Sequence, residues 1–168
     1  MSVVSEHGVE VRRELAPGDA EAIVDLQERI YRAEHGLDGR FTASVRAGVR
    51  EALRSGWPER AGAVWLVERD GQFGGSLALT EEGGGTARVR WFVLAPELRG
   101  TGLGRALIAD LLAEADAAGH RRLVLHTFSA LKTAAKIYRD NGFRVVSEHV
   151  SNHWGPEILN QEYELDLR

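Results

Sequence analysis

At 168 residues the chain is the size of one domain and can bury a core without covalent staples. The absence of cysteine excludes disulfide frameworks, thiolate zinc sites, iron–sulfur clusters and cysteine nucleophiles. A net charge of −4 argues against nucleic acid as the main partner, which needs clustered basic residues, and leaves room for a local site for a small anion.

The opening Met1 to Leu15 has neither a basic leader with an apolar stretch nor a run of about 18 apolar residues, so a cytoplasmic protein without a membrane span is expected. Val9 to Leu15 reads as a strand. Pro17-Gly18-Asp19 then turns the chain, with Asp19 placed to cap a helix through Ile23, Leu26 and Ile30. A second amphipathic helix is predicted over Thr42 to Leu53, with Ala33 to Arg40 as the loop between the two and Gly56-Trp57-Pro58 as a break after them. Three strands follow: Ala63 to Glu68, Gly74 to Thr80 and Thr86 to Leu94. Arg69-Asp70-Gly71 is a hairpin signal between the first two. Glu81 to Gly85 reads as an exposed hairpin tip rather than a phosphate cradle, because no helix follows it.

From Leu103 the positions Leu103, Leu107, Ile108, Leu111, Leu112 and Ala115 recur at helical spacing, and Gly119 supplies the stop. Arg121 to Thr127 is then a strand. A helix through Leu131, Ala134, Ala135 and Tyr138 closes at Asn141-Gly142, and strands at Phe143 to Glu148 and Ile158 to Leu167 complete the chain. No repeat or linker interrupts residues 1–168, so a single domain is expected. The order β-α-α-β-β-β-α-β-α-β-β describes an α/β (α+β) fold, a mixed sheet with helices on both faces. The last strand is free in this reading to pair within the chain or across a dimer interface.

Chemistry is expected at Val93 to Arg105, where a strand runs through a glycine-rich turn into an amphipathic helix. A dinucleotide fingerprint fails there, because the last required small residue falls on Arg105 or Leu107. A Walker loop fails because no lysine precedes Lys132. The spacing Arg-x-x-Gly-x-Gly at Arg99, Gly102 and Gly104 fits an anion site in which unpaired amides at a helix start face a diphosphate. A ligand-free strand-to-helix turn accounts for the spacing equally well.

These residues resemble the pyrophosphate motif of the GNAT superfamily of acyl-CoA-dependent N-acetyltransferases, and Ala134 to Phe143 resembles that family's helix ending in Tyr-x-x-x-Gly-Phe. Leu125 to Ser129, His149, Trp154-Gly155 and Leu159 to Leu165 are similar to the acetyltransferase domains fused to MarR-type regulators in bacteria. The regulator half has no counterpart in this chain, so the acetyltransferase alone is expected.

The resemblance implies the GNAT fold, with a mostly antiparallel sheet of about seven strands, and acetyl-CoA as co-substrate. It places the pantetheine arm along Phe92, Val93 and Leu94, and the pyrophosphate on Arg99, Gly100, Thr101, Gly102, Leu103, Gly104 and Arg105, with Lys132 toward the adenosine. A neutral primary amine would attack the thioester, with a backbone N–H, Val93's being the expected one, on the developing oxyanion. Tyr138 is the implied donor to the CoA sulfur; the other reading of Tyr138 is a core-packed helix residue. Glu68, Glu82 and His126 are the candidate bases. Tyr31, His35 and Arg90 are expected on the acceptor side, Arg90 facing a carboxylate, with Phe41, Trp91 or Trp154 near the rim. His149 and His153 lie on no helical face that would align them for a metal. Relatives of this kind imply a small-molecule or peptide amine as partner and a possible homodimer. A non-catalytic acetyl-CoA sensor is the alternative function on the same fold.

Overall fold

The computed structural model describes residues 3–4, by their backbone, together with 8–60 and 62–168. Apolar residues on both faces of the middle strands dictate a sheet covered on two sides, since Ala63 to Val67 are all buried. The strands are β1 (Val3–Val4), β2 (Val9–Arg12), β3 (Ala63–Arg69), β4 (Gln72–Gly83), β5 (Thr86–Leu94), β6 (Arg122–Phe128), β7 (Arg144–Ser151) and β8 (Ile158–Asp166). They form one sheet in the order β1-β2-β3-β4-β5-β6-β8-β7, antiparallel throughout except for the parallel β5–β6 pair. The two-residue β1 lies outside every strand the sequence predicts. The last strand pairs inside the chain, between β6 and β7.

Four helices cover the sheet: α1 (Asp19–His35), α2 (Gly39–Arg54), α3 (Leu103–Ala117) and α4 (Lys132–Asp140). Trp65, Val67, Leu77, Leu79, Leu123 and Leu125 face α3 and α4, where Leu107, Ile108 and Leu111 close over them. Val64, Leu66, Ala78 and Val93 face the other way, against Ile23, Val24, Ile30 and Val49 of α1 and α2. The β3–β4 hairpin turns on Asp70 and Gly71, both at positive φ (51° and 79°), the two-residue geometry that matches the twist of paired strands.

Two local expectations need correction. Asp19 does not cap α1, whose N-cap is Gly18 at φ 90°. Its carboxylate instead takes the Ala16 N–H at 2.7 Å and a two-pronged hydrogen bond from Arg12 at 2.9 and 3.0 Å. Burial alone would raise the Asp19 pKa, and these donors outweigh it and hold the pKa below the usual carboxylate value. That clasp also ends β2 at Arg12, short of the predicted Leu15. The predicted loop Ala33 to Arg40 shrinks to residues 36–38, because Gly36, at φ 68°, closes α1 on the Arg32 carbonyl and the Asp38 side chain accepts the Arg40 N–H to start α2 at once.

Candidate active site

A break in the sheet makes the site. The parallel ladder between β5 and β6 runs from Thr86↔Arg122 to Val89↔Leu125 and stops there, although β5 continues to Leu94 and β6 to Phe128. The cause lies on the other edge of β5. Its register with β4 slips between Ser76↔Val93 and Ala78↔Arg90, so β5 carries one residue more than β4 across this stretch. The bulge centres on Trp91, a non-glycine residue at φ 50°, and the buried Ser76 hydroxyl donates to the Trp91 carbonyl at 2.6 Å. Beyond it β5 is no longer paired with β6, and a slot opens between the two strands. The Ala95 N–H bonds to the Gly74 carbonyl at 2.7 Å on the β4 side. Strand alternation then turns the peptide groups of Leu94 into the slot and those of Val93 toward β4. The amide offered to a ligand is therefore Leu94's, not the Val93 amide that the sequence favoured.

The slot leads to the start of α3. This helix has Gly102 as its N-cap, at φ 87° and with no side chain to cap it, and no acidic residue in its first turn. The Thr101 hydroxyl, which donates to the Leu98 carbonyl, takes the Leu103 N–H at 3.4 Å, while among the described residues no acceptor takes the N–H groups of Gly100, Gly102, Gly104 or Arg105. Four open amides, an unanswered helix dipole and a cation in the first turn, where an anion would be favourable, all draw negative charge. Gly104 has no side chain to fill the cradle, and a Cβ there would come within 3.4 Å of Phe92 and Ile137. The two flanking arginines are already engaged. Arg99 pairs with Glu34 at 3.0 Å and donates Nε–H to the Leu94 carbonyl at 3.0 Å, and Arg105 pairs with Asp140 at 2.9 Å. The charge of both arginines is thus already shared with carboxylates, and the open amides are the unshared donors. Lys132 opens α4 on the same side of the groove.

Tyr138 projects from α4 into the slot wall, its ring boxed by Phe92, Phe143 and Tyr163 at centroid distances of 6.2, 5.7 and 5.7 Å. Burial pushes its pKa well up, with Tyr31 and Tyr163 adding to the shift, so the phenol stays protonated at neutral pH. Among the described residues its hydroxyl has no hydrogen-bond partner, and it lines the groove.

The opposite end of the groove lies on the α1/α2 face of the sheet, and the whole hollow encloses about 1040 Å³. Arg90 and His126 are the first residues past the last β5–β6 pair, so they flank the apex of the slot. The bulge sets Arg90 and Trp91 on one face, and the guanidinium stacks over the indole at 4.5 Å. Desolvation, with Arg88 adding to it, lowers the Arg90 pKa to about 10, which leaves it charged at pH 7. His126 sits 3.6 Å from Glu162; partial burial and then Arg88 pull its pKa below the usual 6.5, so it is neutral at pH 7. Tyr31 is buried against Phe41 and Phe128, with His35 6.0 Å away, and burial raises its pKa to about 12. Trp154 packs on Phe41 at 5.1 Å and its carbonyl accepts the Asp38 N–H, which docks the β7–β8 turn on the α1–α2 turn as a rim.

Of the candidate bases, Glu68 is removed from the groove and bound to Arg12, and Glu82 pairs with Arg88 outside the hollow, which leaves His126. Sequence reasoning passed over Gln27, whose buried amide nitrogen has no partner and which lines the groove. Its signal was a polar residue inside the apolar stripe Ile23, Leu26, Ile30.

The chain matches the model of the Acetyltransferase (GNAT) family over residues 21–143, and it belongs to that family. It is 28% identical over 143 residues to the uncharacterized N-acetyltransferase YjgM of Escherichia coli, covering 83% of each chain. It is 32% identical over 146 residues to the mycothiol acetyltransferase of Cellulomonas flavigena, covering 81% of this chain and 40% of that one. Among solved structures, an acetyltransferase of the GNAT family from Staphylococcus aureus shares the fold with a TM-score of 0.75 at 16% identity, covering 95% of this chain and 99% of that one. The protein yncA from Salmonella typhimurium, solved with its cofactor acetyl-CoA, gives a TM-score of 0.68 at 19% identity and covers 95% of this chain and 94% of that one.

Proposed function

We propose that the chain moves an acetyl group from acetyl-CoA to a primary amine by direct attack, with both substrates bound together, in the cytoplasm. The observation that carries this reading is the slot between β5 and β6 ending on the open amides of α3, a channel for a linear arm that terminates in a diphosphate. The residues present fit such a group. Gly100, Gly102, Gly104 and Arg105 offer amides to the diphosphate, Thr101 and Leu103 shape the turn, and Arg99 and Arg105 add charge shared with their carboxylates. Phe92 and Val93 form the slot wall, the Leu94 amide faces the arm, and Lys132 stands toward the adenosine end. Acetyl-CoA supplies an activated thioester carbonyl.

His126, neutral at pH 7, takes the proton that the attacking amine must shed. Tyr138 holds its proton at the departing sulfur. Full transfer from a phenol near pKa 10 to a thiolate near 8.5 is already uphill by about 2 kcal/mol, and burial makes the phenol a weaker acid still. Its contribution is therefore a hydrogen bond rather than a delivered proton. Tyr31, His35 and Arg90 bound the acceptor side. The finer kinship with acetyltransferase domains joined to MarR-type regulators is part of this proposal and rests on runs such as Leu125 to Ser129.

Tyr138→Phe tests the reading. It should lower kcat about tenfold or more while acetyl-CoA binds as in the parent, since one hydrogen bond to a charged group is worth about 1.5–3 kcal/mol. An unchanged kcat would return Tyr138 to the core and remove it from the chemistry.

A further inference from the structure

Arg90 is a half-buried, partly desolvated charge without a counter-ion of its own. Among the described residues it makes no ion pair: Glu82, the nearer of the carboxylates on its strand pair, is committed to Arg88 at 3.6 Å, and Glu51 on α2 stays beyond pairing distance. The Trp91 ring covers one face of the guanidinium at 4.5 Å, and α2 passes so close that a Cβ at Gly48 would fall on its Nη2. Gly48 lies in the interior of α2, where glycine costs about 1 kcal/mol against alanine; the space it leaves is the space Arg90 occupies. A partly desolvated cation fixed by stacking and by a tailored gap is costly unless something of opposite charge arrives. Its location decides what arrives. Arg90 and His126 are neighbours across the apex of the slot, so a ligand whose amine lies at His126 presents to Arg90 a group only a few bonds from that amine.

We propose that Arg90 is the anchor for the acceptor's carboxylate, and that the acceptor is a free amino acid. This rests on the acetyl-transfer reading above and narrows it, setting aside polyamines, aminoglycosides and lysine side chains of proteins. In the reaction the amine nitrogen forms the new bond to the acetyl carbon as the carbon–sulfur bond breaks; the amine proton leaves to His126, which returns it to solvent, and CoA departs as a thiolate hydrogen-bonded to Tyr138 and takes up its proton from solvent. The carboxylate takes no part in the bond changes and serves only to place the nitrogen.

The test is CoA release read with a thiol reagent, which the cysteine-free chain does not consume. The panel is the common amino acids, each beside its amide, with spermidine and kanamycin as amines that lack a carboxylate. At least one amino acid should be acetylated with kcat/KM on the order of 100-fold above its amide, the scale expected for truncating one side of a hydrogen-bonded charge pair. Arg90→Gln should raise KM for that amino acid and collapse the preference over the amide, while still showing the acetyl-CoA thermal shift that reports folding. Gly48→Ala should raise the same KM by displacing the guanidinium, without lowering the melting temperature. Equal rates for acids and amides, or turnover confined to spermidine or kanamycin, would overturn the amino-acid proposal and leave acetyl transfer standing. No CoA release with any amine would overturn both.

Discussion

His126 and Glu162 face one another 3.6 Å apart at the apex of the slot, and their placement makes a pH profile the informative probe of that residue. Attack needs a neutral amine and a neutral His126. Log kcat/KM should therefore climb with a slope of two at low pH, where both must lose a proton, and with a slope of one above the His126 pKa, which lies below 6.5. His126→Gln should remove the steeper limb and lower the rate by about 100-fold; a variant that keeps the steeper limb would mean the base lies elsewhere. What the sequence revealed at this scale was uneven. That Arg90 lies on a strand was legible from the chain, because strand spacing belongs to one element, whereas His35, expected in the loop Ala33 to Arg40, stands in α1. The engagement of Arg99 by Glu34 and of Arg105 by Asp140 was not legible, since each partner lies on a different helix and only the packed fold brings it near.

Among the elements, α3 shows how local chemistry carries a site. Its apolar positions, its stop at Gly119 and its uncapped glycine start were all readable, because helical periodicity and capping are properties of a short window of sequence. Gly102 stands at φ 87° with nothing within 4 Å of where a Cβ would be, so Gly102→Ala meets no clash and is strained by backbone conformation alone. The expected cost is about 1 kcal/mol, or roughly 2–4 °C in melting temperature for a domain of this size. Because the strain acts on the amides beside it, the acetyl-CoA Kd should also rise about tenfold. A lower melting temperature with an unchanged Kd would make the turn structural only. The bulge in β5 lay beyond the sequence reading. Thr86 to Leu94 was found as a strand with its limits correct, yet the slip at Trp91 depends on register with β4, and the only trace in the chain is that alternation fails where Arg90 and Trp91 follow one another on one face.

At the scale of the whole molecule, the sheet order places β6 beside β5 in parallel and then inserts β8 between β6 and β7, so the two halves of the sheet are joined by the short ladder from Thr86 to Val89. The fold class, the helices on both faces and the order of elements were legible because they need only periodicity and turn chemistry. The slot was reachable only through a resemblance, since a divergence of two paired strands has no periodic signature. No helix among the described residues is long and apolar enough to cross a membrane. The central claim is that this slot and the α3 amides hold acetyl-CoA, and it is tested most directly by thermal unfolding with acetyl-CoA, NADH or ATP present. A ligand at 100 times its Kd stabilises the folded state by about 2.7 kcal/mol, a rise of roughly 5–11 °C here. The account predicts that rise with acetyl-CoA and none with NADH or ATP; no rise with acetyl-CoA at millimolar concentration would contradict it.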